Sequence, residues 1–373
     1  MVSVVTVTGG SGNPAVSLHY DTKGLALINA QSLAAVIDST YTTATYDTAK
    51  NQVHGSTDGG YLIATQGGFK AAPVDAQGFG AVVVENNSAA ASVSGGGYAG
   101  NQIVLAGDGG LTFEAVSGDV TVDTGGGDND ITFGSGDDAF YSTDGNNSIT
   151  AVGGSDTIYA GTGMNKITLG SGEAYIGSTG SDTIALGSGS ASVTVSGSGS
   201  DSITGALSVS GGGYTLSFIG GADSSTVDGG AGSYSILGGA GGGDFTGGSA
   251  GNNFIEGGSG NVTIQGGGAG DTLAAGTGSS NLIQAGLGNE TLYGGVGHTE
   301  FSFTEGMSGG SGATEVIADF NAATDYLHLA GGFTSTYALD HTTVADGSTF
   351  FTLEDGTKVE LLGFTGLNSS NFH

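Results

Sequence analysis

One apolar residue returns about every nine positions between residues 104 and 301, and this period constrains the fold more than any other feature. The exceptions are single slips of eight or ten residues and one step of six, from Ile203 to Val209. A short fixed period predicts a solenoid, because one repeat cannot bury its own apolar face and must stack on its neighbours. The apolar positions are Val104, Phe113, Val122, Ile131, Phe140, Ile149, Ile158, Ile167, Ile176, Ile184, Val193, Ile203, Val209, Phe218, Val227, Ile236, Phe245, Ile255, Ile264, Leu273, Ile283, Leu292 and Phe301.

The composition indicates an ordered repeat rather than collagen or disorder. The 373 residues include 78 glycines but only two prolines, whereas collagen needs glycine at every third position and abundant proline. Disordered low-complexity chains do not keep Ile, Val and Phe in register. The chain has no cysteine, which excludes disulfides and structural zinc in a cysteine cage.

The charge balance narrows the choice of partners. The chain carries 35 acidic residues against five lysines, for a net charge of −30. A nucleic-acid partner is excluded because such partners need a basic face, and an anionic membrane surface would repel the chain. The charge instead calls for cations, and the acidic residues crowd the glycine-rich turns, which favours specific metal sites.

The sequence predicts an all-β fold in three parts. Residues 1–100 form a small mixed N-terminal region for assembly or anchoring, with a helix over residues 25–37 and strands at 61–64 and 81–84. Residues 101–301 form the solenoid, and residues 302–373 form a β-rich C-terminal cap. Residues 2–8 resemble a strand rather than a signal peptide. No apolar run is long enough for a membrane span, so we expect no membrane insertion.

A polar motif recurs between the apolar positions. It consists of glycine, any residue, Asp or Asn, any residue, and then the apolar residue. This pattern resembles the glycine- and aspartate-rich nonapeptide repeats of the RTX family. The resemblance implies a parallel β-roll with Ca²⁺ held in its turns by aspartate carboxylates and backbone carbonyls, which suits a cation that takes six to eight oxygen ligands. Examples are Gly136-Asp137-Asp138-Ala139-Phe140, Gly154-Ser155-Asp156-Thr157-Ile158 and Gly163-Met164-Asn165-Lys166-Ile167.

The same resemblance nominates the calcium ligands. Two nonapeptides make one coil of a β-roll, so alternate repeats share an edge. Carboxylates are then paired at Asp138/Asp156 on one edge and at Asp182/Asp201 on the other. From residue 209 to 245 the position carries no ligand, and Asp223 is out of register with it. A turn role without metal stays open, as do mutual hydrogen bonds between stacked asparagines. The candidate ligands are Asn129, Asn147, Asn165, Asp182 and Asp201 on one edge, Asp138 and Asp156 on the other, and Asp271 farther along the chain.

The end of the chain carries a second resemblance, to the C-terminal region of type I secretion substrates. That likeness implies export from a bacterium without a cleaved N-terminal signal. The matching segments are residues 314–320, 325–329, 354–361 and 367–373.

The sequence contains no convincing catalytic constellation. It has no H-E-x-x-H zinc motif. Its two G-x-S-x-G matches, around Ser249 and Ser308, do not lie between a clear strand and helix. We therefore expect a non-enzymatic, secreted, calcium-binding structural protein that assembles into a homo-oligomer or polymer, such as a fibre or surface layer. The alternative is an adhesin or an ice-binding surface; sustained Thr-x-Thr ranks, which ice binding would favour, are not found.

Overall fold

The computed structural model is nearly all β and forms a parallel β-solenoid of about 11 turns, which confirms the predicted fold class. The structure describes residues 3–8, 15–20, 25–41, 44–47, 60–64, 73–96, 100–187, 191–195, 201–204, 215–222, 224–230 and 232–373. Val209 and Asp223 lie outside these residues. The chain divides into two compact units, residues 1–190 and 191–373.

The first unit consists of a short antiparallel sheet, one helix and the first set of coils. Its helix α1 spans Leu25–Thr40 and includes the predicted helical segment. Its strands are β1 (Ser3–Val7), β2 (Val16–Tyr20), β3 (Ala44–Asp47), β4 (Gly60–Ala64), β5 (Val74–Asp75), β6 (Phe79–Val84), β7 (Ala91–Gly96), β8 (Gln102–Ala106), β9 (Leu111–Ala115), β10 (Val120–Asp123), β11 (Asp130–Ser135), β12 (Ala139–Tyr141), β13 (Ser148–Gly161), β14 (Lys166–Ser178) and β15 (Thr183–Ala185).

The nine-residue period places alternate repeats on two parallel sheets. Val122 lies beside Val104 and Phe140 in one sheet, whereas Ile131 lies beside Phe113 and Ile149 in the other. Stacked residues are therefore 18 positions apart, or one full coil. The apolar residues at these positions point inward and are almost completely buried, so each coil contributes its own layer of core.

The parallel stacking starts earlier than the nine-residue period. Strand β3 pairs in parallel with β4, and Leu62, Val82 and Val104 lie side by side on β4, β6 and β8. These partners are separated by irregular lengths of chain, so a search for the period does not find them. Part of the segment 1–100 therefore has solenoid-type pairing.

An N-terminal layer, formed by β1, β2 and α1, covers the outer face of these early coils. Strands β1 and β2 pair antiparallel, and the layer shares one apolar cluster with the coils. The Tyr20 hydroxyl donates a hydrogen bond of 3.1 Å to Asp123 Oδ1, and both side chains are buried. The cluster contains Val5, Val7, Val16, Leu18, Tyr20, Leu27, Ala30, Ala34 and Ile37 of the layer with Ile63, Ala81, Val83 and Leu105 of the coils.

The second unit continues the repeat and ends in a β-rich cap. The short helix α2 spans Ser335–Asp340, and a 3₁₀ turn spans Ser369–Asn371. The strands are β16 (Ala191–Val195), β17 (Asp201–Thr204), β18 (Thr215–Ile219), β19 (Ser225–Asp228), β20 (Ser233–Leu237), β21 (Gly243–Thr246), β22 (Phe254–Glu256), β23 (Val262–Gln265), β24 (Thr272–Ala274), β25 (Ser280–Gln284), β26 (Thr291–Tyr293), β27 (His298–Thr304), β28 (Thr314–Ile317), β29 (Tyr326–Ala330), β30 (Thr342–Ala345), β31 (Ser348–Thr352) and β32 (Lys358–Leu361).

The cap closes the end of the stack by extending both sheets and then leaving the parallel pattern. Strand β28 pairs with β26, and β29 pairs with β27, both in parallel. Strands β30, β31 and β32 then form an antiparallel meander, and β32 pairs with β28. A non-repeating end of this kind shields the last coil from solvent and from further stacking.

Candidate metal centre

The turns between strands bring backbone of successive coils into close contact. Gly136 has φ of +150° and Gly154 has φ of +120°, values that favour glycine. A Cβ atom on Gly154 would lie 1.7 Å from the carbonyl oxygen of Gly136. The turns therefore need glycine for both dihedral angle and space, and the backbone carbonyl of one coil lies against the glycine of the next.

On one edge of the first unit the structure stacks Asp138 on Asp156. Asp138 Oδ1 accepts a hydrogen bond of 2.8 Å from the Val120 N–H, and Asp156 Oδ1 accepts one of 3.2 Å from the Asp138 N–H. Both residues are buried. Among the described residues, none donates a hydrogen bond to Asp138 Oδ2. One oxygen of this carboxyl group is thus buried without a donor.

The electrostatics of this edge favour a bound cation. The pKa of Asp138 is raised to about 7, chiefly by burial; the Val120 N–H opposes this rise, and the neighbouring carboxylates of Asp156, Asp119 and Asp137 contribute to it. Burial also raises the pKa of Asp156 to about 6. Two neighbouring carboxylates are costly in their charged form when they are buried. A divalent cation would remove that cost.

The opposite edge is a ladder of amide side chains. Asn147 Oδ1 accepts hydrogen bonds from the backbone N–H and the Nδ2 of Asn129, at 3.1 and 2.7 Å. Asn165 Oδ1 accepts the equivalent bonds from Asn147, and Asp182 Oδ1 accepts them from Asn165. The Oδ1 atom of each side chain thus accepts a backbone N–H hydrogen bond from the turn of the preceding coil. The mutual hydrogen bonds left open by the sequence are therefore present, and the amide nitrogens link each coil to the next.

A second ladder lies one residue before the predicted ligand position, and the sequence reasoning missed it. Asp119 Oδ1 accepts a hydrogen bond from the Asp137 N–H, and Asp137 Oδ1 accepts one from the Ser155 N–H, at 3.0 and 2.8 Å. Asp128 and Asn146 do the same on the other edge. The signal was an Asp or Asn that recurs at the full-coil spacing one residue before the ligand position, and the sequence contains it.

In the second unit the polar position is filled less regularly. Asp271 Oδ1 accepts hydrogen bonds from the N–H and Nδ2 of Asn253, and its Oδ2 accepts one from the Gly267 N–H. Both oxygens of Asp271 are therefore used within the protein, and burial raises its pKa. Asp201 is buried and accepts a bond of 3.5 Å from the Ser225 hydroxyl. Asp182 and Asp201 belong to different units, so their pairing stays a prediction.

The residues of the Asp138–Asp156 edge fit a calcium ion. Among the residues that the structure describes, no three carboxylate, imidazole or thiol groups are close enough to hold a metal by side chains alone. Ca²⁺ also takes backbone carbonyls and water, and the turn glycines Gly136 and Gly154 each stand two residues before these aspartates in the sequence. The buried oxygen of Asp138 without a donor is the observation that supports the fit.

The comparisons with known proteins agree with this geometry. The chain matches the RTX calcium-binding nonapeptide repeat in four copies, over residues 112–140, 141–176, 247–282 and 267–299. Four RTX repeats in a parallel β-solenoid are consistent with an RTX β-roll protein. These repeats indicate Ca²⁺ binding and are typical of secreted bacterial proteins. The matched segments contain Asn129, Asp138, Asn147, Asp156, Asn165 and Asp271, whereas Asp182 and Asp201 lie outside them.

Other comparisons add little. No curated protein matches the chain. Among solved structures, the extracellular lipase LipA from Serratia marcescens is similar at 14% identity and a TM-score of 0.17. That match covers 73% of this chain, and the chain spans 44% of the lipase. A similarity this low carries no conclusion about activity.

The described part of the chain contains no helix that is both long enough and apolar enough to cross a membrane.

Proposed function

We propose that this protein is a secreted, calcium-binding structural protein whose roll is fixed by Ca²⁺ and whose copies assemble outside the cell into a fibre or surface layer. The observation that carries the proposal is the buried Asp138–Asp156 pair, in a chain of net charge −30 with five basic residues. Calcium supplies positive charge at this edge when it is bound. Asp138 and Asp156 would hold it, with carbonyls of the adjoining turns.

Calcium binding at these sites would make folding of the protein depend on whether it is inside or outside the cell. Ligands that bind only the folded state shift the folding equilibrium in proportion to their concentration. Where calcium is scarce, the carboxylates would repel each other and loosen the coils. Outside the cell, where calcium reaches millimolar levels, the roll would close. This order of events fits export of a loosely folded chain.

A structural role agrees with the surroundings of the two serines in the G-x-S-x-G matches. Ser308 is buried, and its hydroxyl donates to the Ala285 carbonyl while accepting from the Thr304 N–H. Ser249 lies exposed in a turn between β21 and β22 rather than at a strand-to-helix turn. A nucleophilic serine needs an accessible hydroxyl and an adjacent base. Neither residue supports hydrolysis, and we favour a protein without catalytic activity.

The N-terminal layer offers a surface for assembly. Strand β1 pairs with β2 within the chain, and the far edge of β2 is bonded to Asn87 through the His19 N–H and the Ser17 carbonyl. Among the described residues, β1 has no strand partner on its other edge. An open edge can add a strand from another copy, and head-to-tail contacts of this kind propagate into filaments.

The test is electron microscopy of the purified protein in calcium and in excess chelator. Assemblies in calcium that dissolve in chelator support the proposal, whereas monomers in both conditions contradict the assembly role. A Val4→Lys variant then probes the edge strand, because Val4 is 51% exposed and outside the buried cluster. The exposed residue Thr226 on β19 provides the control, Thr226→Lys. Assembly lost only in Val4→Lys would locate the contact at β1.

An adhesin or ice-binding role is the second candidate. The register aligns Thr132, Thr150 and Thr168 in one outward column. The neighbouring column on the same face holds Asp130, Ser148 and Lys166. Charged residues in that column interrupt the flat rank of threonines that ice binding requires. Thermal hysteresis of the calcium-loaded protein tests this alternative directly.

A further inference from the structure

Two buried glutamates lie where the last coil meets the C-terminal cap. Thr291 of β26 lies beside Val316 of β28, so Glu290 and Glu315, each one residue earlier, occupy adjacent positions on neighbouring chain segments. The Glu290 carbonyl accepts a hydrogen bond of 2.9 Å from the Val316 N–H, which fixes this register. Glu290 is 2% exposed and Glu315 is 0% exposed.

In the described part of the chain, no basic side chain pairs with either carboxyl group. None of their four oxygens has a hydrogen-bond partner of good geometry among the described residues, and the groups that approach them are the two carboxyl groups themselves and the backbone N–H groups of Gly286 and Glu290. Lys358, on the adjoining strand β32, lies opposite Thr314 and is exposed. Glutamate is rarely buried without a basic partner, because an uncompensated buried charge strongly destabilises the folded state.

The pKa values of both carboxyl groups are raised. Burial raises the pKa of Glu315, and the proximity of Glu290 raises it further. Burial raises the pKa of Glu290 as well, and Asp271 adds to the repulsion. Two carboxyl groups in this position must share a proton or share a cation. A proton neutralises one charge, whereas a divalent cation neutralises both and uses all four oxygens.

We propose that Glu290 and Glu315 bind a divalent cation, Ca²⁺ in calcium-rich surroundings, which fastens the C-terminal cap to the last coil. The inference rests on the proposed calcium-dependent function and extends it to a site with one ligand outside the repeats. Glu290 lies in the last matched repeat and Glu315 follows it in the cap. The remaining ligands would be carbonyl oxygens and water, as is usual for Ca²⁺.

The test compares wild type with Glu290→Gln and with Glu290→Gln/Glu315→Gln. Glutamine keeps the size of the side chain, and two glutamines can hydrogen-bond to each other, so the cap can still fold. Glu360→Gln is the control, since Glu360 lies on β32 beside Val316 but is partly exposed. Each protein is titrated with CaCl₂ by calorimetry, and hydrogen exchange of residues 314–317 is measured in calcium and in chelator.

We expect the double variant to bind about one Ca²⁺ fewer per chain than wild type and Glu360→Gln. Residues 314–317 should exchange more slowly in calcium than in chelator in wild type, and this calcium-dependent protection should disappear in both Glu290 variants. Unchanged stoichiometry and protection in the variants would mean that the pair shares a proton, and this inference would be overturned. Absence of any calcium binding in wild type would overturn the proposed function as well, so the two failures are distinguishable.

Discussion

At the scale of single residues, calcium affinity should depend on whether an aspartate occupies the ligand position of the repeat, and not only on its negative charge. Asp156 lies buried at the repeat's ligand position, whereas Asp130 is an exposed residue on β11 in the preceding coil. Asp156→Asn should weaken calcium binding by at least about tenfold to a hundredfold, the loss that removal of a group hydrogen-bonded to a metal ligand already causes, and Asp130→Asn should leave it nearly unchanged. Calorimetric titration measures both. Equal losses would indicate diffuse counterion binding.

The same carboxyl groups predict a pH dependence of the calcium-free protein. Burial raises the pKa of Asp138 to about 7 and that of Asp156 to about 6, whereas an unfolded aspartate titrates near pH ~3.9. Between these values the folded state holds protons that the unfolded state has released. The free energy of unfolding should therefore be largest below about pH 4 and fall as pH rises to about 7.

Thermal unfolding in chelator from pH 4 to pH 7.5 checks this sign. The variant Asp138→Asn/Asp156→Asn removes both titrating groups and should show a shallower fall over the same range. General repulsion in a chain of net charge −30 acts on both proteins, so the difference between them isolates the pair. Identical slopes would contradict the prediction.

From the sequence, candidate ligands could be predicted only at positions that belong to the repeat motif. The motif located Asp138 and Asp156 because glycine, aspartate and the apolar residue keep a fixed spacing. It did not locate the Asp119–Asp137 ladder, because these residues stand one position before the motif's ligand, where the motif allows any residue. Nor could it locate Glu315, because a loop of irregular length separates that residue from the last repeat. Contacts that depend on tertiary register need the structure.

At the scale of elements, the stacked turns should tolerate no side chain at their glycines. An alanine at Gly154 would combine a left-handed φ of +120° with a Cβ 1.7 Å from the Gly136 carbonyl oxygen. An alanine at Gly347, in the turn between β30 and β31, has φ of +80° and no atom within 4 Å of the added Cβ.

Gly347→Ala should therefore cost about 1 kcal/mol of backbone strain, whereas Gly154→Ala should cost several times more, because backbone of two coils must separate. Chemical denaturation in calcium compares the variants. Similar losses of stability would mean that the turns can move apart, which would count against a fixed carbonyl arrangement.

The strands themselves were predictable where one apolar residue marks each of them. The nine-residue spacing alone predicts that Val122 and Phe140 lie side by side on parallel strands, as they do. The pairing of β4, β6 and β8 did not, because the chain lengths between Leu62, Val82 and Val104 differ. In β6 all six residues are buried, covered outside by the N-terminal layer. Because a strand buried on both faces is apolar at every position, its sequence shows no alternation from which its partner or register could be predicted.

At the scale of the whole molecule, folding should depend on calcium. With net charge −30, the chain repels itself, and each site that binds only the folded state adds about 2.7 kcal/mol at a free calcium concentration of a hundred times its Kd. We expect β-content and the unfolding temperature to rise together during a calcium titration followed by circular dichroism.

Magnesium at equal concentration is the control, because it prefers a smaller octahedral site and retains its waters. The rise should be weaker with magnesium. Full β-content and undiminished thermal stability in excess chelator would show that apolar stacking and the asparagine ladder suffice to hold the coils.

The register of 18 residues per coil has a consequence for how such a gene can change. Inserting or deleting one whole coil leaves every downstream side chain on its original face, with the same neighbours above and below. Gaining or losing a single nonapeptide instead moves each later strand to the opposite sheet and each later polar position to the opposite edge. Viable length variation among natural alleles should therefore come in complete coils, copied in tandem, with the two ends of the protein left untouched.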